Sequence, residues 1–128
     1  MFRSRLWRAF LTLSLIVAAT VIIVTALQST PSLRPPWGNF KSADLVSHGA
    51  AYGTLVILGG MLRRRLHWVV VATMVYSTLL EGLQYFVPGR EVHLSDLAAN
   101  VVGILAGLVI VALCRRQQPV PDLEDKVL

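Results

Sequence analysis

Between Ala9 and Leu27 the chain carries no ionisable side chain, and three further apolar runs follow, from Asp44 to Leu62, Leu66 to Phe86 and Asp96 to Cys114. Prolines, glycines or arginines separate them. A bilayer core is crossed by about 20 apolar residues in helical form. An α-helix satisfies its backbone groups within the segment, so runs of this length can cross hydrocarbon one by one. At 128 residues and 55% hydrophobic content, with a mean hydropathy of +0.63, the chain is too apolar for an ordinary soluble domain. The expected fold is all-α, a four-helix transmembrane bundle with helices at about 9–27, 44–62, 66–86 and 96–114. It forms a single membrane domain over residues 1–118, followed by a polar tail at 119–128.

The net charge of +5 could suggest a nucleic-acid partner, but the basic residues sit in short clusters between apolar runs. That is the pattern of membrane topology, so the lipid bilayer is the expected partner and nucleic acid is not. Arg3, Arg5, Arg8, Arg63, Arg64, Arg65, Arg115, Arg116 and Lys126 fall on one side, and Arg34, Lys41 and Arg90 on the other. The positive-inside bias then places both termini in the cytoplasm. Val24-Thr25-Ala26 resembles a signal-peptide cleavage site after a basic leader. The uncharged run is longer than a usual signal core, so helix 1 is expected to be retained. Cys114 is the only cysteine, which excludes an intrachain disulfide.

Against this apolar background, the polar side chains gather around one turn, Glu81 to Asn100, joined by Asp44 and His48. With a rise of about 1.5 Å per residue, His48 lies about 6 Å below Asp44, Asn100 about 6 Å below Asp96, and Glu81 about 8 Å below Phe86. These depths share a level in the outer half of the bundle. Asp44, His48 and Tyr52 are four apart, Glu81 and Gln84 three apart, and Asp96, Asn100, Gly103 and Gly107 follow one helical stripe. Gly49 and Gly53 on helix 2, and Gly103 and Gly107 on helix 4, have the small-xxx-small spacing that lets helix backbones approach in a membrane. A charge facing lipid at mid-depth costs at least about 2.5 kcal/mol, so Glu81 should face the bundle interior or be protonated.

Asp44-x3-His48-x3-Tyr52, Glu81-x2-Gln84, Pro88-Gly89-Arg90 and Asp96-x3-Asn100-x2-Gly103, in that order, resemble the VanZ-like family of small bacterial membrane proteins. The resemblance covers about Lys41 to Leu113. It implies a multi-pass protein of the bacterial inner membrane, and a bearing on glycopeptide susceptibility, since the founding member is linked to teicoplanin resistance. Membership alone does not transfer that resistance, because one fold serves several functions.

Each polar residue has a structural and a functional reading. Asp44 and Asp96 open helices 2 and 4, where a carboxylate caps free N–H groups and meets the positive dipole end; Ser95 is the other candidate cap of helix 4. His48 is placed to hydrogen-bond Glu81 or Asn100. A lone histidine with only carboxylates nearby is a weak metal signal, so no metal or cofactor is expected. Glu81 carries the strongest functional signal, because an intramembrane carboxylate usually marks a path or a site. The amides of Gln84 and Asn100 suit helix packing, and Arg90 either pairs with Glu91 or Asp96 or presents a guanidinium to phosphate or carboxylate.

The candidate ligand-binding set is therefore Asp44, His48, Glu81, Gln84, Arg90, Asp96 and Asn100. The expected partner is an anionic or lipid-linked cell-envelope molecule in an outward-facing pocket. Two alternatives stand beside it. One is an intramembrane hydrolase or transferase using Glu81 or Asp96 with His48. The other is a structural or accessory subunit in which the same groups only hold the helices together.

Overall fold

The computed structural model describes residues 2–28, 40–63, 65–88 and 93–116. They form four helices, α1 (Phe2–Leu27), α2 (Phe40–Leu62), α3 (Leu66–Gln84) and α4 (Leu94–Arg116). Each contains a stretch long and apolar enough to cross a membrane. The expected all-α bundle is the observed one. The Pro-rich connection, Arg64, Arg90, Glu91 and the tail lie outside the described residues.

The helix ends differ from expectation for local reasons. Arg3, Arg5 and Arg8 are within α1, consistent with the good helix propensity of arginine. No proline or glycine falls between Gly38 and Asp44, and α2 starts at Phe40. Asp44 is therefore already inside the helix and does not cap it. At the far end of α3, Pro88 disfavours helical backbone at the residue before it. The helix ends at Gln84, and Phe86 N–H to Leu83 C=O (3.1 Å) and Val87 N–H to Gln84 C=O (3.0 Å) close the turn. Ser95 and Asp96 lie inside α4, one and two residues after its start, so neither caps it.

The closest pairing is α2 with α4, and it depends on glycine. A Cβ added to Gly107 would stand 2.6 Å from the Gly53 carbonyl oxygen, and one added to Gly103 would overlap the Gly49 carbonyl. Backbone against backbone at this range leaves no space for a side chain. Beside this seam, Tyr52, Leu55, Val56 and Ile104 form the buried apolar core. α1 packs on α2 and α3. Tyr76 donates its hydroxyl to the Ala19 carbonyl at 2.6 Å. Arg115 of α4 donates to the carbonyls of Gly60 and Arg63 at the C-terminal end of α2. A cation there meets the negative dipole end and carbonyls that have no partner within the helix.

Exposure is inverted relative to a water-soluble protein. Leu6, Phe10, Val46, Trp68, Leu79, Val102 and Leu113 face outward, while Thr73, Ser77, Glu81, Gln84, Asp96 and Asn100 are buried. Water would penalise that arrangement and lipid favours it, since polar groups in a bilayer face one another.

Candidate functional site

The buried polar groups of α3 form one stripe. Thr73, Ser77, Glu81 and Gln84 follow one another at four, four and three residues, the spacing of a single helical face. The α4 stripe opposite runs Asp96, Asn100, Gly103 and Gly107, all buried. α2 contributes Asp44, His48 and Tyr52. Because the glycines bring α2 and α4 together one turn below, the His48 and Asn100 side chains meet between the two helices.

Asn100 is at the centre, with no exposed surface. Its Oδ1 lies 3.1 Å from His48 Nδ1, and its Nδ2 donates to Ser77 Oγ at 3.0 Å. A carboxamide oxygen only accepts, so His48 Nδ1–H is the donor in this contact. The chain from His48 through Asn100 to Ser77 therefore runs from α2 to α4 to α3.

Glu81 faces the interior with 7% exposure, one turn from Ser77 on the same face of α3. Its inward placement agrees with the cost of exposing a carboxylate to lipid. Gln84 is buried too, but donates to the Ala26 carbonyl of α1 at 3.4 Å. That carbonyl belongs to the last turn of α1, which has no partner within its own helix. Gln84 thus ties α3 to α1.

At the end of the bundle where α2 and α4 begin, Asp44, His48 and Asp96 come together. One potential ligand atom from each lies within 4.8 Å of the others. Asp96 is buried and accepts a 3.3 Å hydrogen bond from Ser95 Oγ. Asp44 and His48 are partly exposed. The site therefore has two layers, an inner one in which Asn100 is bonded to His48 and Ser77, and a rim in which Asp44 and His48 are partly exposed. Of the residues singled out from sequence, Asp44, His48, Glu81, Asp96 and Asn100 contribute to these layers. Gln84 is engaged with α1, and Arg90 lies outside the described residues.

Ser77 was not among the candidates. Hydroxyls in apolar helices usually bond the carbonyl four residues back, as Thr12, Thr20, Thr54 and Thr78 do here. The available signal was its position four residues before Glu81. Asp44, His48 and Asp96 belong to the polar cluster expected from sequence, and the structure brings one potential ligand atom of each within 4.8 Å of the others.

The family model described as VanZ/LLP1 matches residues 4–115. Neither a curated protein nor a solved structure matches the chain.

Proposed function

The chain belongs to the VanZ/LLP1 family, and we propose that it binds the head of an anionic or lipid-linked cell-envelope molecule at the Asp44–His48–Asp96 rim. The observation that carries this reading is the convergence of ionisable groups from two helices on a partly exposed rim, backed by a filled hydrogen-bond network. Groups needed only to hold helices together are satisfied by one another, as Asn100 and Ser77 are. The rim adds two carboxylates and an imidazole that offer more acceptor positions than their mutual contacts use. Carboxylates and imidazole suit the hydroxyls of a sugar head. For a phosphate they need a cation between, and Arg90, six residues before Asp96 in sequence, is one candidate.

The same grouping favours a second reading, a hydrolase or transferase acting on the bound molecule. A carboxylate beside an imidazole supplies general acid–base chemistry, with water as the nucleophile. Native mass spectrometry of the detergent-extracted full chain tests both. Binding predicts a retained lipid bearing a phosphate or sugar phosphate, reduced at least tenfold in Asp44→Asn/Asp96→Asn and also reduced in Arg90→Ala. Retention unchanged in the double variant overturns the rim as the binding site, and unchanged retention in Arg90→Ala removes that residue from it. Turnover would appear as release of phosphate from an added lipid diphosphate, lost in the double variant.

A further inference from the structure

We propose that Asp44, His48 and Asp96 form a binding site for a divalent first-row transition cation of the Mn2+ or Zn2+ type. Its role would be to join this carboxylate-rich rim to the phosphate of the bound molecule. That role rests on the binding reading above, whereas the cation site stands on the geometry alone.

Three observations support it. The first is the donor set. Two carboxylate oxygens and one imidazole nitrogen lie within 4.8 Å of one another. Donors about 2.1 Å from a tetrahedral ion stand about 3.4 Å apart, so side-chain adjustments of up to about 0.7 Å per residue would close the site. Carboxylate with imidazole suits Mn2+ and Zn2+, whereas Mg2+ and Ca2+ favour all-oxygen sets.

The second observation lies outside the three ligands. Metal-binding histidines commonly donate the other ring N–H to a carbonyl, which sets the tautomer and holds the ring. Asn100 Oδ1 occupies that position against His48 Nδ1. Asn100 is itself held by Ser77 on a third helix. With Nδ1–H donated to Asn100, Nε2 is the ring nitrogen that a metal would take.

The third is charge. Asp96, with 8% exposure, and Asp44 bring two like charges close together at the edge of an apolar bundle. A divalent cation between the two carboxylates would complement them, and three protein ligands would leave at least one coordination position for a phosphate oxygen.

The test uses the full-length chain in detergent, stripped with a chelator, with Mn2+ alone as the probe. Binding is read from loss of the free-ion electron paramagnetic resonance signal. One Mn2+ per chain is expected, displaceable by Zn2+. His48→Gln and Asp96→Asn should each weaken binding at least tenfold. Asn100→Ala, which removes no ligand, should weaken it by about tenfold through loss of the ring's support. If Asp96→Asn does not fold, Asp44→Asn on the more exposed side of the rim replaces it. Absence of Mn2+ uptake by the unaltered chain overturns the proposal, as does uptake unchanged in the folded ligand variants. The chelator separates this proposal from the binding reading. Phosphate-lipid retention that survives chelation leaves the reading standing without a bridging metal. Mn2+ uptake with no lipid retention leaves the metal site standing without the reading.

Discussion

Asn100 spends both ends of its carboxamide on other helices, accepting from His48 on α2 and donating to Ser77 on α3, with no surface left for lipid. Each bond replaces a partner that hydrocarbon cannot provide. Measured interhelical hydrogen bonds in membranes nevertheless average only about 0.6 kcal/mol and reach about 1.7, because the unfolded chain in lipid also finds partners. Ser77→Ala should therefore cost about 1 kcal/mol of stability, seen as a lower midpoint in denaturant unfolding in detergent micelles. An unchanged midpoint would mean that the Asn100 to Ser77 bond adds nothing net. The His48 and Asn100 pairing is legible in the sequence, because each stands four residues after an aspartate on two helices that run in the same direction. The Ser77 link was not, since a hydroxyl in a helix normally bonds its own backbone.

Among the elements, the α2–α4 pair sets the position of everything else, and its glycines distinguish close approach from simple helix content. A Cβ at Gly103 would overlap the Gly49 carbonyl, whereas one at Gly82 on α3 meets nothing within 4 Å. Gly103→Ala should therefore destabilise by about 1–3 kcal/mol as the helices are forced apart. Gly82→Ala should be neutral or slightly stabilising, since alanine is the better helix former. Thermal unfolding of the two variants side by side checks this, and an equal effect would contradict the close seam. Small-xxx-small spacing made the seam readable in advance. Helix ends were less readable, because the start of α2 depends on the absence of a breaker before Asp44. The Arg115 contact with the end of α2 joins residues more than fifty positions apart and has no local signature.

At the scale of the molecule, the bundle turns its apolar side chains outward and brings the polar faces of three helices to one level. That inversion was visible in the sequence as polar residues collected at one turn. What the sequence could not show was the division of labour among them: Gln84 serving α1, Asn100 and Ser77 closing an inner network, and Asp44, His48 and Asp96 forming a rim. This division depends on the direction of each side chain across helices, and helical spacing specifies only the face. The account depends on these groups acting as one coupled unit. A double-mutant cycle of His48→Ala and Asn100→Ala, read as unfolding free energy in micelles, tests that coupling directly. The structure predicts non-additive costs, with a coupling of about 0.5–1.7 kcal/mol. Strict additivity of the two substitutions would show that α2 and α4 do not share this site.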